Sequence, residues 1–183
     1  VIAAIQEFLQ SGQLLKQINS TVIALVPKVE NASKLSGFRP ISCCNVLYKT
    51  ISKVLALRLK EVLVSLIGKE QSAFVPGRKI TDNIFVAQEL VNGYHANWGP
   101  PRCAIKVDIT KAYDTLNWSF LEKVLLSMEF PSHFRKLLVQ CFSTPRFSIN
   151  LNGELVGFIP SYRGLRQGDP ISPYLFVLAM EIL

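Results

Sequence analysis

The chain has 183 residues, of which 49% are hydrophobic and only 18% charged, and its 20 Lys+Arg against 13 Asp+Glu leave a net charge of +7. This is long enough for one domain with a sizeable core, and the composition excludes a disordered tail, a collagen-like repeat and a charged linker. The basic excess points to an anionic partner, with nucleic acid first among the candidates.

In chain order, Ile2, Ile5, Phe8 and Leu9 fall at helical spacing, and Ser11-Gly12 stops the helix. Thr21–Val26 is a β-branched run closed by Pro27 and reads as a strand. From Asn31 to Pro40 the Asn, Ser, Gly and Pro content reads as a loop. Asn45–Ile67 is the longest helical pattern, with Val46, Ile51, Leu55, Leu59, Val62, Leu63 and Leu66 as its apolar face and Gly68 as its stop. Lys49, Lys53 and Lys60 on this helix lie within about 40° of one another at 100° per residue. They form either a solvated basic face or a stripe that tracks phosphates.

The turn at Val75-Pro-Gly-Arg78 carries a cation, and helix resumes over Asp82–Tyr94. Cys103–Asp108 alternates toward a strand that ends on a carboxylate. Asn117–Glu122 reads as a helix start, with Ser119 and Glu122 at capping-box spacing. Pro131-Ser132 opens a helix through Phe142, and Phe147–Phe158 forms a hairpin about Asn152-Gly153. The last ten residues follow an apolar helical pattern that Ser172 is placed to cap. Helices mixed with strands and a hairpin indicate an α+β fold.

No stretch offers the roughly 18 to 20 uninterrupted apolar residues of a membrane span, because Lys60, Lys123 and Glu181 break the best candidates. Nor is there a signal-sequence pattern at the N-terminus. Residue 1 is Val, and residue 183 lies inside the last apolar pattern, so both ends read as cut. Cys43, Cys44, Cys103 and Cys141 form no C-x-x-C pair and have no His partners for zinc. They are expected to be buried or half-buried free thiols. The charge is uneven: residues 1–80 hold 11 Lys+Arg and 4 Asp+Glu, whereas residues 81–183 hold 9 of each, so the whole excess of +7 lies in the first part. A basic front section beside a carboxylate-bearing one suits a polyanion held near a metal.

Two constellations could carry chemistry. In Lys106-Val-Asp108-Ile-Thr-Lys-Ala-Tyr113-Asp114, an Asp at a strand end can hold Mg²⁺, which takes oxygen ligands, although such an Asp is more often a cap or turn residue. In Tyr162–Pro173, two glycines let the backbone approach a ligand. There Arg163 and Arg166 offer phosphate-matching forks, and Gln167 can both donate and accept. Asp169 reads as the residue that holds the turn.

Together these segments resemble motifs of the reverse transcriptases of non-LTR (LINE-type) retrotransposons. Lys106–Trp118 is similar to their catalytic motif A and Arg163–Pro173 to their motif B. Leu25-Val-Pro-Lys28, Gly37–Ser42 with Val46–Lys49, and Gln71–Arg78 with Thr81-Asp82-Asn83 resemble the family's finger motifs in the same order. The flavour is closest to plant elements.

The resemblance implies the fingers and an incomplete palm of a right-hand polymerase. Fingers would span 1–101, palm with motif A 102–117, connecting helices and hairpin of the fingers 118–160, and motif B with the start of a palm helix 161–183. It implies a polymerase that copies RNA into DNA from deoxynucleoside triphosphates on a DNA primer, by two-metal phosphoryl transfer with Mg²⁺ or Mn²⁺. Asp108 would be a catalytic metal ligand, with the Ile109 carbonyl as a second oxygen, and Tyr113 would be the aromatic gate against a 2′-hydroxyl. Arg78 would pair with the triphosphate, Gln167 and Gly168 would line the nucleotide pocket, and Lys49, Lys53 and Lys60 would follow the nucleic acid. Action in the nucleus is expected. The family's motif C, which supplies the remaining carboxylates, is not in these residues, so the chain alone is expected to be inactive. The alternatives are a non-catalytic nucleic-acid-binding relic and, more remotely, an unrelated Mg²⁺ phosphohydrolase.

Overall fold

The computed structural model describes residues 1–94, 103–151 and 153–182, which contain seven helices, a short 3₁₀ turn and four strands. In chain order they are α1 (Ile2–Ser11), β1 (Ser20–Pro27), the 3₁₀ turn (Leu35–Gly37), β2 (Phe38–Cys44), α2 (Val46–Leu66), α3 (Ile80–Val91), α4 (Ala112–Thr115), α5 (Trp118–Ser127), α6 (Ser132–Ser143), β3 (Arg146–Leu151), β4 (Glu154–Pro160) and α7 (Ser172–Glu181). The fold is mixed α+β. Its sheet is open, in the order β2-β1-β3-β4. β1 pairs antiparallel with β2 and parallel with β3, and β3 pairs antiparallel with β4.

The core lies where four helices meet. Tyr48, Ile51, Leu55, Leu59 and Leu63 form the buried stripe of α2 at the spacing a helix requires. They join Leu121, Val124 and Leu125 of α5, Leu137 and Leu138 of α6, and Leu175, Val177 and Leu178 of α7 in one cluster. Each fully buried Leu or Ile contributes about 1.5–3 kcal/mol relative to exposure. α5 packs on both α6 and α7, and α7 packs on α2. Val46 and Val62 do not belong to the stripe; Val46 is 80% exposed.

Local signals set several element ends. Gly12, at φ 66°, caps α1 with its N–H on the Phe8 carbonyl, as Ser11-Gly12 implied. The Asn45 side chain caps α2 by accepting from Leu47 N at 2.8 Å. α2 does not end on a left-handed glycine: Ile67 is extended, and the Arg78 guanidinium donates to the carbonyls of Ile67 (2.8 Å), Gln71 (2.7 Å) and Gly68. α5 is capped by Asn117, which accepts from Phe120 N at 3.1 Å, and not by Ser119. α7 begins at Ser172 itself, so that serine is buried inside the first turn and does not cap it. α3 starts two residues earlier than expected and ends at Val91.

Two further expectations are corrected. The segment read as loop to Pro40 becomes strand from Phe38. Pro40 is tolerated because β2 is an edge strand: Ser42 N points outward, away from β1, and Pro40, two residues earlier, shares that orientation, so its missing N–H costs no ladder bond. Conversely, Cys103–Asp108 is not a strand. Residues 103–109 have no regular structure and are exposed, with Ile105 at 83% and Val107 at 77%. Alternation yields a strand only where a sheet edge accepts it, and none of the four strands pairs with this segment. The hairpin forms as expected, with an irregularity between Phe147 and Ile149. Its Asn152, and the boundary placed at residues 101 and 102, lie outside the described residues. No helix among the described residues is long and apolar enough to cross a membrane.

Candidate functional site

The two constellations meet through their backbones. Gly164 N donates to the Leu116 carbonyl and Leu165 N to the Tyr113 carbonyl, both at 2.7 Å. The indole N–H of Trp118 donates to the Gly164 carbonyl, also at 2.7 Å. Gly164 has φ +85°, and a Cβ there would lie 2.8 Å from the Asp114 carbonyl oxygen and 2.9 Å from that of Tyr113. Only glycine combines this dihedral with so close an approach. The short helix α4 and the segment 163–165 are thereby locked together.

From there the chain enters a buried polar lattice. Arg166 Nη2 lies 2.9 Å from Asp169 Oδ2 and donates to the Cys141 carbonyl at 3.0 Å. Its Nη1 donates to Asn19 Oδ1 at 2.7 Å and Thr21 Oγ1 at 3.2 Å. The guanidinium also sits 4.0 Å over the Tyr48 ring. Asp169 Oδ2 accepts in addition from the Tyr48 hydroxyl at 2.6 Å, and Oδ1 accepts from Ser52 Oγ and from Ile171 N at 3.3 Å. Of the two arginines offered as phosphate forks, Arg163 is therefore exposed and Arg166 is internal. Asp169 holds its turn, as expected.

Burial pushes the Tyr48 hydroxyl well above its ordinary 10.0 and the Cys141 thiol up to about 12, and it raises the Cys44 thiol. At Arg166 burial opposes the charge, but Tyr48 and Asp169 outweigh it and raise the pKa. All four cysteines are free; Cys44 and Cys141 are buried as expected, whereas Cys43 and Cys103 are exposed.

Beside this lattice lies a cavity of about 220 Å³. The sheet contributes Ile23, Ser42 and Phe147 to its wall, α4 contributes Asp114, and the motif B segment contributes Arg163 and Gln167. Gln167 is half-buried, and its carbonyl accepts from Ser42 N at 2.9 Å. Gly168 has φ +101°, with the Ser42 carbonyl oxygen 3.3 Å from a would-be Cβ. The Tyr113 ring stacks on Phe176 of α7 at 4.8 Å, and burial raises its hydroxyl pKa. It is thus anchored at the joint between the two motifs.

The other candidates lie apart from this joint. Asp108 and Ile109 are exposed in the irregular segment, and Asp108 makes no side-chain hydrogen bond among the described residues. No group of three His, Cys, Asp or Glu side chains there could hold a metal. A carboxylate and a carbonyl are nonetheless the hard oxygen donors Mg²⁺ takes, and they would supply two ligands of its octahedral set. Arg78 lies at the end of α2, on the three carbonyls named above. Lys49, Lys53 and Lys60 are all exposed along α2.

Asn19, Thr21, Tyr48, Ser52 and Trp118 were not singled out in the sequence. The one available signal was Tyr48 and Ser52, four apart on the buried stripe of α2. Polar groups on an apolar face require partners.

A mixed α+β domain in which a glycine-rich loop is bolted to a short acidic turn beside an open sheet is consistent with a polymerase. A family model described as reverse transcriptase (RNA-dependent DNA polymerase) matches residues 26–183. The chain belongs to the reverse transcriptase family. It is 31% identical over 175 residues to the transposon TX1 uncharacterized 149 kDa protein of Xenopus laevis, covering 96% of this chain and 13% of that protein. It is 29% identical over 173 residues to the Pol polyprotein of the type-2 retrotransposable element R2DM of Drosophila melanogaster, covering 94% of this chain and 16% of that protein. An uncharacterized mitochondrial protein of Arabidopsis thaliana is 58% identical over 33 residues, 18% of this chain and 27% of that protein. The chain is homologous to Pol proteins of non-LTR retrotransposons, and it spans a small part of the length of these first two relatives.

Proposed function

We propose that this chain forms the fingers and first part of the palm of a LINE-type RNA-directed DNA polymerase. The observation that carries the reading is the backbone joint at Gly164 and Leu165, which sets the motif A turn against the motif B loop in a chain of the reverse transcriptase family. Fingers comprise roughly residues 1–101 and 118–160, and palm elements lie around 102–117 and 161–183. The element it belongs to is read as plant-type.

In this reading the exposed lysines of α2 follow the phosphates of an RNA template and DNA primer. Asp108 and the Ile109 carbonyl hold Mg²⁺ or Mn²⁺. Bound metal supplies the positive charge that activates a primer hydroxyl and neutralises a triphosphate. Tyr113, stacked on Phe176, sits with its ring under the sugar and clashes with a 2′-hydroxyl. Gln167 and Gly168 line the nucleotide pocket, and Arg78 pairs with the triphosphate on leaving its carbonyls. Two metal ions need more carboxylates than Asp108 supplies, so the 183 residues by themselves do not extend a primer.

The test is primer extension with Mg²⁺ and deoxynucleoside triphosphates. The 183-residue chain incorporates nothing, whereas the polymerase containing it does, and Asp108→Ala abolishes incorporation without altering the melt. Extension that survives Asp108→Ala would refute the assignment.

A further inference from the structure

Arg166 uses both N–H groups of each terminal nitrogen inside the protein: Nη1 on Asn19 and Thr21, Nη2 on Cys141 and Asp169. A guanidinium so occupied has no terminal donor left for a phosphate. Asp169 is filled in the same way, its two oxygens accepting from Ser52, Ile171, Tyr48 and Arg166. The lattice joins the start of β1, α2, α6 and the motif B loop, and each of its members is satisfied, the condition under which a buried ion pair fixes geometry.

Gln167 lies between the two ends of this ion pair. Its carbonyl is tied to Ser42 N, and Gly168 beside it lies against the Ser42 carbonyl. The residue lines the cavity, and its side chain makes no hydrogen bond among the described residues. A half-buried amide with unused donors and acceptor, set between two immobilised residues, is placed to meet a ligand.

We infer that Arg166 and Asp169 are positioning residues, a closed lattice that holds the Gln167 amide toward the cavity to meet a nucleotide of a bound strand, and that Arg166 itself touches no phosphate. The inference rests on the nucleic-acid reading above. It assigns opposite duties to two arginines three residues apart: Arg163 is free to contact an anion, and Arg166 is not.

The discriminating measurement is binding of single-stranded oligouridylate by the chain at increasing salt, followed by the NMR signal of the Gln167 side-chain amide. Arg163→Gln lowers the salt slope by about 0.7, the loss of one phosphate contact. The apolar double variant Arg166→Met/Asp169→Leu removes both charges together, so it strands no buried charge, and the polar partners it leaves lower its melt only in part. Its salt slope is unchanged, while the Gln167 amide signal no longer shifts on adding RNA. Asp169→Asn alone strands a buried charge, lowers the melting temperature by about 10 °C and also loses that shift. It serves as the second variant if the double one does not fold.

A slope reduced in the double variant would show that Arg166 contacts phosphate and would overturn the inference. So would a Gln167 signal that still responds to RNA in a folded double variant. If the wild-type chain binds no RNA, the nucleic-acid reading fails and the lattice is judged separately. The Ser42 amide, which donates to Gln167, should then exchange with solvent faster in the double variant, and an unchanged rate would overturn the positioning role.

Discussion

Replacing Gly164 by alanine tests the joint between the two motifs most directly. The residue sits at φ +85°, where a Cβ costs about 1–2 kcal/mol. That Cβ would also stand 2.8 and 2.9 Å from two backbone carbonyl oxygens, several tenths of an ångström inside ordinary contact, and no side-chain rotation relieves a clash with backbone. The segments must part, which stretches three hydrogen bonds of 2.7 Å: Gly164 N to Leu116, Leu165 N to Tyr113, and the Trp118 indole to Gly164. Each contributes about 1 kcal/mol. Partial loss of these bonds, about 1–2 kcal/mol together, added to the dihedral cost gives about 2–4 kcal/mol, a large part of the stability of an ordinary domain. Gly77 provides the control, since it has φ +77° with nothing within 4 Å of its would-be Cβ. Gly77→Ala therefore carries only the dihedral cost, about 1–2 kcal/mol. Urea unfolding followed by circular dichroism measures both variants. If Gly164→Ala costs no more than Gly77→Ala, the close approach carries no energy and the argument for a rigid joint fails.

Alkaline pH should weaken the fold. The Cys141 thiol is held at about 12 against an ordinary 9.0, and the Tyr48 hydroxyl also lies well above its ordinary value. With folded values above unfolded ones, the native chain keeps protons that the unfolded chain releases, so stability is intact below pH 9.0 and falls as pH rises toward about 12. A urea midpoint that holds or rises over that range contradicts this, and Cys141→Ala should flatten the fall. A thiol reagent should label Cys43 and Cys103 at once and reach Cys44 and Cys141 only in denaturant; four equally fast thiols would contradict the burial pattern. Asn117→Ala should cost about 1 kcal/mol through loss of the α5 cap, and Ser119→Ala less than about 0.5 kcal/mol; the reverse order would restore the capping-box reading.

Elements governed by neighbours in sequence were legible. α1 with its glycine stop, β1, α2 with its asparagine, α6 after Pro131 and the hairpin each carry local capping, turn or periodicity signals, and each forms close to where those signals placed it. β2 was hidden because Pro40 argues against a strand, and only its position at the sheet edge makes that proline harmless. The alternating segment 103–108 misled in the opposite direction, since alternation describes a strand's faces but not whether a neighbouring strand receives its edge.

The site divides along the same line. Gly164, Gln167 and Gly168 could be singled out from composition, because glycines allow backbone approach and an amide reads polar edges. The duties of the arginines could not. Arg163 and Arg166 are the same residue type in one loop, and they separate only when Asn19 and Thr21 at the start of β1 and Cys141 at the end of α6 converge on one of them. The sequence by itself determined most of the longer helices, several turn residues, the basic front section and the family. The tertiary structure decided which charges face solvent and which are buried and paired, because burial is set by residues more than a hundred positions apart meeting at one point.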